Sequence, residues 1–164
     1  MRRFYKPVAE FYDGQSAFVT GGTGFLGKVL IEKLLYSCTG INKVYLLIRD
    51  SKKDTAHQRI QTILEQPVFT RLKNEKPQAL KKIVPIVGDI SKPKLGLKPE
   101  DEKLLTDAVS IVFHVAATIR FDEPLDVAMN INVGGTEQLL NLCQHMKNIK
   151  ALVHVSTAFT NIER

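Results

Sequence analysis

Only two cysteines, Cys38 and Cys143, occur in 164 residues, too few for a disulfide framework and in keeping with a reduced, intracellular setting. Nothing at the start pairs a basic flank with an apolar run, so no secretory signal is legible. No stretch approaches the roughly 18 uninterrupted apolar residues that a bilayer span needs, so any membrane attachment must come from elsewhere. The composition, 44% hydrophobic and 24% charged, excludes disordered and collagen-like classes. At 18.4 kDa the chain suits one domain with a single core and is too short for two of ordinary size.

Positive charge is in excess, and it is local. The net charge is +6, yet between Arg49 and Lys82 nine Lys and Arg stand against four Asp and Glu. Such a field suits a phosphate-rich small ligand, nucleic acid or an anionic membrane surface; a solvated face would explain the same charge.

Residues 1–14 read as an aperiodic lead-in ahead of a domain at 15–164. Five β-prone apolar runs follow, at 16–20, 44–48, 82–87, 109–115 and 151–155. Helical material separates them: from Leu26, around Ala56 to Leu64, after Pro99, and a long helix from about Pro124 to Met146. This alternation predicts βαβ units and an α/β, Rossmann-like, doubly wound parallel sheet in the order 3-2-1-4-5, truncated after its fifth strand. Ligand is expected at the switch point between strands one and four. Residues 49–81 exceed what one crossover helix requires, and Pro67 and Pro77 divide them into two helical pieces.

Thr20 to Gly27 reads TGGTGFLG, with Gly21, Gly24 and Gly27 in the spacing GxxGxxG between a strand and a helix. Gly21 permits the tight turn, Gly24 lets a pyrophosphate approach the backbone, and Gly27 lets the helix pack closely. The helix N-terminus then offers free N–H groups and a partial positive charge to the phosphates. Arg49 ends the second strand, where such folds meet the adenosine ribose. An acid there accepts from a 2′-hydroxyl, whereas an arginine accommodates a 2′-phosphate, which favours NADPH over NADH. A solvent-facing arginine beside Asp50 is the alternative.

Asp89, in Gly88-Asp89-Ile90 after the third strand, can accept from an adenine amino group or simply form a turn. His114-Val115-Ala116-Ala117 ends the fourth strand, and its small residues allow backbone close to the nicotinamide ribose; His114 itself reads as a satisfied core histidine rather than a proton carrier. Asn132 precedes two helical glycines, Gly134 and Gly135, whose cost of about 1 kcal/mol each calls for close packing against the sheet. Asn132 should be half-buried and either lock a neighbouring loop, the preferred reading, or support a proton relay. Ser156 and Thr157 end the fifth strand, where a hydroxyl could steady a developing oxyanion or merely form a turn. The four histidines show no metal-ligand spacing.

The stretches FYDGQSAFVTGGTGFLGKVLIEKLL, VYLLIRDSKK, PVFTRL, PIVGDISKPKLGL, FHVAATIRFDEPLDVAMNINVGGTEQLL and ALVHVSTAF span about Phe11 to Asn161. Together they resemble an extended short-chain dehydrogenase/reductase and, more closely, the alcohol-forming fatty acyl-CoA reductases, especially the insect type. HVAATIRFDEPL and GDISKPKLGL are the specific parts, since the glycine loop is shared by all extended members. The resemblance implies NADPH-dependent reduction of fatty acyl-CoA to a primary alcohol, with acyl-CoA and not nucleic acid as partner. It also implies peroxisomal or endoplasmic-reticulum association through a region outside this chain.

By the same resemblance Thr20, Gly21, Gly24, Phe25, Leu26 and Gly27 hold the pyrophosphate, Arg49 the 2′-phosphate, and Asp89 with Ile90 the adenine. Ala116 and Ala117 line the nicotinamide ribose, and Thr157 with Ser156 supplies the catalytic hydroxyl. Two departures stand out. Asp54 lies where the family has a glycine, and the family's YxxxK, downstream of STAF, is not in these residues, so the chain reads as an N-terminal fragment. Another extended reductase acting on a sugar nucleotide or hydroxysteroid, and a non-catalytic dinucleotide-binding module, are the competing functions.

Overall fold

A computed structural model describes residues 7–50 and 55–157. Five parallel strands form one sheet in the order 3-2-1-4-5: β1 (Ala17–Thr20), β2 (Val44–Ile48), β3 (Ile83–Val87), β4 (Ile111–His114) and β5 (Ala151–His154). Every residue of β1, β2 and β4 is buried, which is why they read as unbroken apolar runs and not as alternating ones. The register pairs Thr20 with His114 across β1 and β4, placing the two loops that follow side by side at the carboxyl edge.

Alternate side chains serve two cores. Val19, Val44, Leu46, Ile48 and Phe113 pack beneath α2 (Phe25–Ser37), α3 (Ala56–Leu64) and α4 (Thr70–Glu75). Phe18, Leu47, Ile86 and Val112 pack on the opposite face against Leu105 of α5 (Pro99–Ala108) and Leu139 and Leu142 of α7 (Gly135–Gln144). The lead-in is more ordered than its aperiodicity predicts. Residues Val8–Phe11 form the short helix α1, and Ala9 and Tyr12 pack against the first core.

Between β2 and β3, Pro67 and Pro77 each open a 3-10 turn, at Pro67–Phe69 and Pro77–Lys82, so the predicted division stands. Several of the insertion's cations are engaged within the fold. Lys76 Nζ donates to Tyr36 O, and Lys82 Nζ to Thr39 O and Ile41 O, satisfying carbonyls at and beyond the end of α2. Arg71 forks onto the buried Glu32 at 2.9–3.1 Å and lies 3.8 Å over the Tyr36 ring. The long fourth crossover helix has three parts: α6 (Leu125–Met129), a π turn at Asn130–Gly134, and α7. Among the described residues no helix is long and apolar enough to cross a membrane.

Candidate functional site

The glycine turn is shaped by contact with β4's loop. Gly21 has φ +72°, and a Cβ there would stand 2.5 Å from Ala116 N, so the two backbones meet at a distance only glycine allows. A Cβ on Gly27 would overlap the Gly21 carbonyl oxygen, hence α2 seats directly on the turn. Gly24, the N-cap, is bounded only by Gly21 O at 3.3 Å and is otherwise open. The first-turn N–H groups of α2 lack intrahelical acceptors and carry the positive end of the helix dipole.

In front of this turn lies a cavity of about 460 Å³ at the carboxyl edge. Gly21, Gly24, Arg49, Asp89, Ile90, Ala116 and Ala117 all line it. The other named residues stand apart. Phe25 and Leu26 are exposed on the first turn of α2, and Gly27 is buried against the glycine turn. Thr20 is fully buried, its hydroxyl 2.6 Å from His114 Nδ1. Ser156 and Thr157 are exposed beyond the end of β5 and do not line the cavity. Tyr36 and Tyr45, on α2 and β2, do not reach it either.

Asp89 is held by a strained turn. Lys94 and Leu95 take φ of +52° and +58°, a conformation disfavoured for both, while the Leu95 side chain is fully buried. That turn brings Leu95 O within 2.7 Å of Asp89 N. Partial burial pushes the Asp89 carboxyl up, but hydrogen bonds from Ser91 N and Oγ, with the nearby Arg49 and Lys92 charges, outweigh it and leave the group below its ordinary value. An ionised acceptor therefore faces the cavity.

Arg59 was not singled out from the sequence. It lines the cavity with Arg49 and donates through Nη1 to the Arg49 carbonyl. The available signal is the Thr55/Gln58 capping box, which starts α3 at Ala56 and puts Arg59 one turn in, facing back toward the end of β2.

Across the cavity, Asn132 spans the loop after β4, accepting from Thr118 N at 2.9 Å and donating to Thr118 O at 3.1 Å. Thr118 Oγ1 donates to Glu123, which also lines the cavity. Asn132 thus locks a loop, though it is exposed and not half-buried. Asn130, from the same π turn, donates to Ser91 O beside Asp89. The glycine pair divides: Gly135 packs on Ile90, where a Cβ would meet the carbonyl oxygen at 3.0 Å, while at Gly134, in the π turn, a Cβ would make only an ordinary contact with Asn130 Oδ1 at 3.5 Å. Helix-to-loop packing, not helix-to-sheet packing, explains Gly135.

This sheet order, glycine turn and switch-point cavity define an NAD(P)-binding, Rossmann-like domain of the extended short-chain dehydrogenase/reductase type. The chain belongs to the male sterility protein family, whose sequence model matches residues 19–164. It is 44% identical over 157 residues to fatty acyl-CoA reductase 1 of Mus musculus, covering 96% of this chain and 30% of that protein. It is 45% identical over 155 residues to fatty acyl-CoA reductase wat of Drosophila melanogaster, covering 94% and 30%. Among solved structures, the terminal R domain of the myxalamid PKS-NRPS pathway superposes with a TM-score of 0.71 at 29% identity, covering 88% of this chain and 34% of that one. The chain thus spans about three tenths of the curated relatives it matches.

Proposed function

We propose that this chain is the NADPH-binding part of a reductase that converts fatty acyl-CoA to a primary alcohol. The observation that carries the cofactor choice is the pair of guanidinium groups, Arg49 and Arg59, on one cavity beside the glycine turn. Two fixed charges at the end of β2 suit a 2′-phosphate, whereas a 2′-hydroxyl offers them no charge to pair with. The cradle fits the rest: Gly24 leaves open backbone for a pyrophosphate, Asp89 is an ionised acceptor on the adenine side, and Ala116 and Ala117 present no bulk to a ribose. The acyl-CoA substrate is supported by the reductases at 44–45% identity and by HVAATIRFDEPL in the sequence.

When bound, NADPH supplies a hydride for each of two reductions, thioester to aldehyde with loss of the CoA thiol, and aldehyde to alcohol. The chain's own part is to orient. Gly21, Gly24 and Gly27 set the phosphates on the N-terminus of α2, and Arg49 and Arg59 fix the adenosine end. Thr157 or Ser156, beyond β5, donates a hydrogen bond to the carbonyl oxygen on which negative charge develops.

Binding of both cofactors to the full-length protein, followed by fluorescence, tests the proposal. Arg49→Glu should weaken NADPH by about one to two orders of magnitude and leave NADH nearly unchanged, since a charge-assisted phosphate bond is worth about 1.5–3 kcal/mol. Equal losses would defeat the assignment. Product analysis with long-chain acyl-CoA should show alcohol, and its absence alongside tight NADPH binding would favour another substrate.

A further inference from the structure

His114 sits at the point where β1, β4 and the long crossover helix meet, and it is 1% exposed. Its Nδ1 is 2.6 Å from Thr20 Oγ1, and its Nε2 is 3.0 Å from Thr136 Oγ1 on α7. The Thr136 end of this chain of bonds sets its direction. Thr136 Oγ1 lies 2.7 Å from Asn132 O, a carbonyl that can only accept, so the Thr136 proton is committed there. At the other end Ala116 N, which can only donate, points at Thr20 Oγ1 from 3.4 Å. Thr136 must therefore accept from the ring, which places the imidazole proton on Nε2. The bare Nδ1 then accepts from Thr20 O–H, whose oxygen accepts from Ala116.

We propose that His114, as a neutral imidazole protonated on Nε2, is a positioning residue that acts through Thr20 to set the gap between the Gly21 turn and Ala116. Thr20 immediately precedes the turn, and Ala116 is the residue whose backbone a Gly21 side chain would strike. Losing the Thr20 bond frees the Thr20 hydroxyl from its fixed orientation and loosens Ala116 at the same moment. Thr136 ties the same unit to the helix whose π turn holds the loops at Ser91 and Thr118. One histidine thereby links the glycine turn to the helix that grips both remaining sides of the cavity. The affinity consequence rests on the NADPH assignment above; the proton placement does not.

The test has two arms in the full-length protein. Imidazole nitrogen NMR without cofactor should show His114 protonated on Nε2 and bare on Nδ1, and a proton on Nδ1 overturns the relay. In the second arm NADPH affinity is measured for His114→Phe, Thr20→Val and the pair. His114→Phe should weaken binding about tenfold or more, and the pair should be little worse than Thr20→Val alone, because both remove the same link. His114→Asn, which can still accept from Thr20, should restore most of the loss. Additive losses, no rescue, or wild-type affinity in His114→Phe overturn the proposal. Should His114→Phe fail to fold, Thr136→Val decides: it keeps the ring but removes the acceptor, and must change the tautomer signal. A wild-type protein that does not bind NADPH overturns the cofactor assignment, while the tautomer still decides the relay.

Discussion

The two halves of the sheet are covered unequally. β3, β2 and β1 are packed on both faces, and the Arg49 side of the cavity is finished by side chains: two arginines, an ionised aspartate and a turn strained to hold it. At the other end, Leu152 of β5 packs beneath α7, yet Val153 is 44% exposed and His154, Ser156 and Thr157 are open. Phe25, Leu26 and Val29 of α2 are exposed as well. On the proposed function, affinity and chemistry would be separable in this fold, the residues proposed to hold the cofactor being built before β5 and those proposed to act on substrate lying after it. If that division is real, substitutions should lose force from the covered half toward the bare one.

The largest loss is expected at the covered glycine turn. Gly27→Val would drive a side chain into backbone at Gly21 and Gly22, neither of which can give way without moving β1 or β4. A loss above about 4 kcal/mol, or failure to fold, should appear in urea unfolding. A near-native Gly27→Val would mean that α2 is not seated as described.

Acid should act at the boundary between the halves. Burial, with a lesser push from His154, lowers His114 from 6.5 to about 4. The unfolded chain takes up this proton at higher pH than the folded one, so the stability from this group is complete above pH 6.5 and is lost as pH falls toward 4. The full difference is about 3 kcal/mol. Unfolding free energies of wild type and His114→Phe across that range should converge on acidification, and parallel curves would count against a neutral buried ring.

A smaller effect is expected where the insertion grips α2. Glu32 is buried and Arg71 half exposed, so Arg71→Ala leaves a carboxylate short of its fork and should cost about 1–3 kcal/mol. NADPH affinity should change little, because neither residue lines the cavity. An affinity loss as large as that of Arg49→Glu would place the insertion's grip inside the binding machinery.

The covered half is also the half that the sequence states most clearly. Buried parallel strands leave continuous apolar runs, so β2 is predicted at 44–48 and found there, and Gly21 and Gly27 announce a backbone approach that only glycine permits. Tertiary pairing hid the rest. Charge counting cannot tell that Lys76 and Lys82 are consumed by carbonyls near the end of α2, leaving Arg49 and Arg59 on the cavity. Nor does the helical pattern of 124–146 reveal a π turn, because the extra residue in that turn does not alter which residues are apolar. The turn matters, since it lets Asn130 and Asn132 reach two different loops.

The smallest effect should fall on β5. Val153 and Val19 carry the same side chain on parallel strands, but Val19 is wholly buried in the first core and Val153 is nearly half exposed. Valine to threonine keeps the shape and exchanges one methyl for a hydroxyl, so the change reads the cost of burying a polar group in place of an apolar one. At Val19 the hydroxyl meets an apolar interior, and about 1–3 kcal/mol should be lost. At Val153 water remains within reach, and the loss should stay within about 0.5 kcal/mol. Unfolding this chain and the full-length protein side by side extends the measurement. If the bare face of β5 is where further structure docks, Val153→Thr should cost more in the longer protein, and an equally small loss in both would show that this face stays open to solvent.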